Sequence, residues 1–324
     1  MTLPVSLADV EAAADRIKPF VHQTPVFTSA TLDTELGAHV FFKAENLQKV
    51  GAFKARGATN AVLQLPADAT GVVTHSSGNH GQAVAYAASI RDLPAWVVMP
   101  RTAPALKMDA VRSYGAEVVL CDHADRESTA AEVMERTGAV LVHPFDDSAV
   151  IAGQGTVTLE LLDQVPNLDV VVAPIGGGGL LSGAATVAGG QEPPIPVVGA
   201  EPFAVDDAYR SLRSGIRQPG VESPVTVADG LLTGIGARAF TILMAHEVDV
   251  IRVTEAAILT AASYLLLRMK LVVEPSGATP LAAIRTEPEQ FRGRRVGVII
   301  SGGNTDFSWL AAAETLTSRR ETSP

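Results

Sequence analysis

A lysine between an aromatic residue and an Ala-Arg-Gly-Ala string is the first place where residue types in this chain point to chemistry. It lies in Gly51-Ala52-Phe53-Lys54-Ala55-Arg56-Gly57-Ala58. In a tight, partly apolar turn an amine loses the hydration that favours its ammonium form. Its pKa then falls from about 10.4 and the free amine can attack an aldehyde. Taken alone, the same lysine also reads as a surface residue at the start of a helix. Three other segments bear on the choice. His75-Ser76-Ser77-Gly78-Asn79-His80-Gly81-Gln82 follows the run Gly71-Val72-Val73-Thr74, and Gly176-Gly177-Gly178-Gly179 follows Val170 to Ile175. Ser301-Gly302-Gly303-Asn304 follows Val296 to Ile300. Each loop comes off a β-branched run, which places it at the carboxyl end of a strand, where open α/β sheets bind ligands.

The elements that must position these loops alternate in type. Val72–Thr74, Trp96–Met99 and Val118–Leu120 read as strands, each followed by a helical pattern (81–91, 104–114, 126–137), and Val140–Val142 closes the set. A second set runs from a helix over 151–165 through strand Val170–Val172, helix 180–188, strand Val197–Ala200, helix 254–269 and strand Val296–Ile300. Such alternation implies parallel sheets with crossover helices. A strand as uniformly apolar as Val170–Val172 is expected where both faces are covered. The stretch 170–191 has no charged residue over about the length of a bilayer crossing, but Gly176–Gly179 would break a helix at its middle. Strand, glycine loop and buried helix is the better account.

Composition narrows the function classes. With 35 acidic and 25 basic residues the net charge is -10, which argues against nucleic acid or an anionic membrane as partner. An anionic small ligand would need local help from glycine loops and helix N-termini. Cys121, the single cysteine, allows no internal disulfide and fits a reducing compartment; it reads as a buried strand residue in preference to a nucleophile. No basic region followed by an apolar stretch opens the sequence, so a soluble, cytoplasmic protein is expected.

From about residue 6 to about residue 312 the order of these motifs resembles the fold-type II pyridoxal-phosphate enzymes. The nearest branch is that of the serine racemases and serine/threonine dehydratases (threonine ammonia-lyases), on its racemase-like and 3-hydroxyaspartate dehydratase side. The resemblance implies a tryptophan synthase β-like α/β fold of two open, twisted, mostly parallel sheets flanked by helices. A small domain (65–145) would be inserted into a large one (1–64 and 146–324), with pyridoxal 5'-phosphate in the cleft and a homodimer as the assembly. By the same resemblance Lys54 takes the cofactor's aldehyde. Phe53 packs on the ring, Asn79 lies beside the phenolate oxygen and Ser301 beside the ring nitrogen. The amides of Gly176, Gly177, Gly178 and Gly179 hold the phosphate. Ser76, Ser77, Asn79 and His80 bind the substrate α-carboxylate, with Thr233 as an extra donor or merely a turn residue.

Ser77 occupies a place where serine and threonine dehydratases commonly carry alanine, whereas racemases and some 3-hydroxyaspartate dehydratases carry serine. It is either a second base on the face of Cα opposite Lys54 or a carboxylate ligand only. Glu201, Val205 and Asp207 match the branch's divalent-metal loop, and their hard oxygen ligands suit Mg²⁺ or Ca²⁺. Without the resemblance they read as a solvated acidic helix start. The activity implied is ammonia loss from a β-hydroxy amino acid of the L-serine or L-threonine type. A 3-hydroxyaspartate substrate, or serine racemisation with dehydratase side activity, is the alternative. Two departures stand out: Ala52 replaces the family's usual serine, and Glu274 to Pro280 departs from the usual Glu-Pro-(Thr/Ser)-Ala-Gly run, with Pro280 expected to stiffen a turn.

Overall fold

The computed structural model describes residues 2–76 and 78–313. Among the described residues ten strands form two sheets: β1 (Val26–Phe27), β2 (His39–Ala44), β3 (Val72–His75), β4 (Ala95–Pro100), β5 (Glu117–Cys121), β6 (Val140–Leu141), β7 (Val170–Pro174), β8 (Val197–Pro202), β9 (Asp249–Val253) and β10 (Arg295–Ile300). The larger sheet has the order β1-β2-β10-β7-β8-β9, the smaller β5-β4-β3-β6. All pairings are parallel except β1 with β2.

Period-2 side-chain alternation explains why the large sheet needs helices on both faces. Val170, Val172, Val298 and Ile300 enter one apolar core with the helices Glu255–Leu267 and Pro275–Thr286. Val171, Ala173 and Ile299 enter another with the helices Ser148–Gln164, Gly179–Gly189 and Ala237–Ala245. Cys121 is a buried residue at the end of β5, as its apolar context indicates.

Helix boundaries differ from the sequence pattern where caps act. The helix expected from 151 starts at Ser148, because the Asp147 carboxylate accepts from the Val150 amide at 2.9 Å. The segment after Glu274 corrects the expected turn: Pro275–Thr286 is a helix with Pro280 inside it. A proline there forgoes one backbone bond and costs about 3 kcal/mol. Every residue from Pro275 to Ile284 is buried against the sheet, and that packing outweighs the local penalty.

The helix Lys54–Leu63 is fastened by charge. The fully buried Arg56 guanidinium donates to both oxygens of Glu45 (2.7 and 2.8 Å) and of Glu160 (2.7 and 2.8 Å). Lys43 on β2 donates to Glu160, the Thr24 carbonyl and Gln164, each at 2.8 Å. Two cations and two carboxylates thereby join β2, the short turn after it and two helices. Burial works against the Arg56 charge, but the two carboxylates outweigh it and raise its pKa. Removing one member strands a buried charge. Glu45→Ala is expected to lower unfolding free energy by about 3–5 kcal/mol, measured by urea denaturation.

Candidate active site

The strand ends of both sheets converge on Lys54. The Phe53 amide donates to the Ser301 carbonyl at 3.0 Å, and Ala52 pairs with Gly302 in an isolated antiparallel bridge. Main-chain pairing thus fixes this turn although the usual serine hydroxyl is absent at Ala52. Lys54 Nζ donates to the Pro144 carbonyl at 2.6 Å and lies 5.1 Å from the Phe53 ring centroid. Burial pushes its pKa down to about 8, with the charge of Glu274 opposing the shift. Among the described residues it has no ion-pair partner, so the amine is free at mildly alkaline pH.

Pro144 leads into Phe145, whose ring covers the glycine loop. A Cβ on Gly177 would sit 2.2 Å from that ring, and one on Gly176 2.9 Å from the Leu231 Cα. Only glycine permits this approach, and it leaves backbone amides at the start of the helix Gly179–Gly189, a setting suited to a phosphate. The Gly177 carbonyl accepts from the Gly236 amide at 3.1 Å, and the adjacent Ile235 amide donates to Asp207 at 2.8 Å.

Asn79 begins the helix Asn79–Ile90 and spans the gap between the sheets. Its Nδ2 donates to Glu274 Oε1 at 2.9 Å, and its Oδ1 accepts from Asn304 Nδ2 at 2.8 Å. The first-turn amides of Asn79 and His80 have no intrahelical acceptor and can serve an anion. The His80 ring itself turns into the smaller sheet, with Nε2 3.0 Å from the Val142 carbonyl. Burial, with the nearby Lys54 charge, holds its pKa well below the usual range. The Ser76 hydroxyl accepts from the Gly78 amide at 3.4 Å, while Ser77 lies outside the described residues. Thr233 is exposed on the segment between Leu231 and Ile235. Two further imidazoles, His75 and His143, meet edge to face at 5.7 Å beside a cleft of about 230 Å³ that also reaches Glu127 and Met134.

Glu201, Val205 and Asp207 come together at the end of β8, all buried. Both Glu201 oxygens accept amides of the helix Asp207–Ser214, from Ala208 at 3.0 Å and Tyr209 at 2.9 Å. Burial pushes Glu201 up to about 8 and raises Asp207; neither makes an ion pair among the described residues. The intervening Asp206 is taken by Arg210 and Arg252. The described residues hold no cluster of three or more His, Cys, Asp or Glu able to bind a metal. Two buried, uncompensated carboxylates nevertheless suit a hard divalent cation. Sequence reasoning missed Glu274, whose neighbours here all come from distant segments.

The model of the pyridoxal-phosphate dependent enzymes matches residues 17–302. This chain belongs to that family. It is 47% identical over 316 residues to a serine racemase of Dictyostelium discoideum, covering 95% of this chain and 97% of that protein. It is also 47% identical over 306 residues to a beta-hydroxyaspartate dehydratase of Paracoccus denitrificans, covering 93% and 97%. The crystal structure of a T.th. threonine deaminase superimposes with a TM-score of 0.90 at 46% identity, covering 94% of this chain and 99% of that one. The two parallel sheets flanked by helices are the fold these proteins share.

The amine, the glycine loop and the asparagine fit the family's cofactor. Because Lys54 titrates near 8, apoprotein mixed with pyridoxal phosphate should develop its visible absorbance at a rate that rises through about pH 8 instead of 10.5. Stopped-flow absorbance checks this, and Lys54→Ala should develop no such band.

Proposed function

We propose that the chain is an ammonia-lyase converting a β-hydroxy amino acid of the L-serine or L-threonine type to a 2-oxo acid and ammonia. The observation that carries the reading is the half-buried Lys54 amine, free of any carboxylate partner among the described residues, at the meeting point of both sheets. We assign Lys54 to the cofactor's aldehyde carbon, Phe53 to its ring, Asn79 to the phenolate oxygen, Ser301 to the ring nitrogen and Gly176–Gly179 to the phosphate. When bound, pyridoxal phosphate supplies electron withdrawal from Cα. The serine hydroxyl at the ring nitrogen, unlike a carboxylate, does not enforce protonation there, which favours elimination over long-lived carbanion chemistry.

The chain's own groups do the rest. Ser76, Ser77 and the helix-start amides of Asn79 and His80 orient the α-carboxylate, with Thr233 beside them. With substrate bound, Lys54 Nζ, steered by the Pro144 carbonyl, would take the proton from Cα. The Cβ–O bond then breaks with its electron pair on oxygen, which leaves as water after protonation. Hydrolysis of the remaining enamine gives the 2-oxo acid and ammonia. By the family resemblance we assign Ser77 the role of a second base for the opposite face of Cα, adding a minor racemisation branch.

A 3-hydroxyaspartate is the second reading. Burial lowers the pKa of His75, next to Ser76, with the neighbouring Glu127 opposing and Arg126 adding to the shift; we assign Arg126 as the partner for a second carboxylate. The relationship to the beta-hydroxyaspartate dehydratase points the same way. Glu201, the Val205 carbonyl and Asp207 would hold Mg²⁺ or Ca²⁺, whose charge relieves the two buried carboxylates. Residues 65–145, which contain the four-stranded sheet, are assigned to the small domain, and 1–64 with 146–324 to the large one. A cytoplasmic homodimer completes the reading. No helix among the described residues is long and apolar enough to cross a membrane.

Release of 2-oxo acid from L-serine, L-threonine and each 3-hydroxyaspartate stereoisomer tests the substrate class; no release from any of them would refute the reading. Ser77→Ala should abolish D-serine formation while keeping appreciable L-serine elimination, followed by chiral chromatography. Parent-level racemisation would reduce Ser77 to a carboxylate ligand. Chelation should lower the thermal midpoint, with Mg²⁺ or Ca²⁺ restoring it, and Glu201→Ala should lose that response in calorimetry. A chelator without effect on the parent would make the segment an ordinary helix cap.

A further inference from the structure

Glu274 precedes the first turn of the helix Pro275–Thr286, yet its side chain does not cap that helix. It is buried and reaches back to Asn79. Room for it exists because residue 302 is glycine: a Cβ there would sit 2.5 Å from Glu274 Oε1 and 3.1 Å from Asn79 Nδ2. The carboxyl therefore threads past the main chain next to Ser301.

The direction of the hydrogen bonds around it is fixed from one end. The Val50 carbonyl can only accept, so the group 2.7 Å from it is the amide nitrogen of Asn304. The same nitrogen lies 2.8 Å from the Asn79 side chain, which must therefore present its oxygen. Asn79 is left with its nitrogen towards Glu274, where an oxygen accepts it at 2.9 Å. Two amide flips are thus decided by one main-chain carbonyl and one carboxyl. One N–H of Asn79 remains uncommitted.

We propose that Glu274 is a positioning residue that locks the Asn79 amide so that its free N–H faces the cofactor's phenolate oxygen. The inference rests on the assignment of Asn79 to that oxygen. Burial, reinforced by Asp229, pushes Glu274 up to about 8, while the Asn79 hydrogen bond, Lys107 and Lys54 pull the other way. The carboxyl is accordingly neutral at pH 7. A glutamine, which keeps the accepting oxygen, can replace it there.

The test uses protein reconstituted with pyridoxal phosphate and reads the visible cofactor band, its pH titration and cofactor retention. Glu274→Ala should shift the band and its titration and weaken cofactor binding about tenfold, the order of one lost hydrogen bond. Glu274→Gln should keep the parent band. In an Asn79→Ala background, Glu274→Ala should add no further shift. A merely structural role would lower the melting temperature of Glu274→Ala and leave the band and its titration unmoved, which overturns the proposal. Asn304→Leu reads the same chain from its other end should Glu274→Ala fail to fold; a parent-like band in that variant also overturns it. If Asn79→Ala itself leaves the band unchanged, the Asn79 assignment fails. If Asn79→Ala shifts the band and Glu274→Ala does not, only the role of Glu274 fails.

Discussion

A guanidinium shared by two carboxylates, two residues beyond Lys54, is the constraint on which the rest of the site depends. Arg56 cannot leave Glu45 and Glu160 without becoming a charge in the protein interior, and Glu160 also holds Lys43 on β2. The start of the Lys54 helix is therefore fixed relative to β2 of the large sheet and to the helix Ser148–Gln164. Close glycine contact completes the fit: a Cβ on Gly57 would lie 2.7 Å from the Val150 carbonyl, and one on Gly153 2.7 Å from the Arg56 carbonyl. Such a network stabilises little relative to a well-packed apolar core. What it supplies is a unique placement of the amine beside it.

The groups proposed for the site are treated in the opposite way. Glu274 and Glu201 are buried and Lys54 half-buried, none with an opposite charge in direct contact, and each is displaced towards its neutral form, near 8. Charges that fasten the frame are ion-paired; those assigned to the site have hydrogen bonds but no ion-pair partner among the described residues. This division separates structural from functional titratable groups more clearly than burial does, since both sets are largely buried.

The sequence discloses the parts whose physics is local. The strands Val170–Pro174 and Arg295–Ile300 are apolar on both faces, and their loops announce themselves by glycine, serine and asparagine. β2, by contrast, carries Lys43, and β9 carries Asp249 and Arg252, so neither shows an uninterrupted run. The helix Pro275–Thr286 is hidden by Pro280, because the burial that overrides the proline comes from residues far away in the chain. Glu274 was invisible for the same reason: Asn79 and Asn304 lie at large sequence separations on either side of it, and Gly302 reads as an ordinary turn glycine. Lys54 and Asn79 were legible because each stands in a distinctive short string.

The consecutive amides of Ile235 and Gly236 serve two masters, one bound to the Asp207 carboxylate and the other to the Gly177 carbonyl. Neighbouring peptide units cannot move independently, so the acidic loop and the glycine loop share a mechanical coordinate. Were the proposed cation to bind at Asp207 and favour one position of that stretch, it would alter the affinity for a phosphate at the proposed Gly177 site. Thermodynamic reciprocity then requires a bound phosphate to alter the affinity for the cation by the same factor.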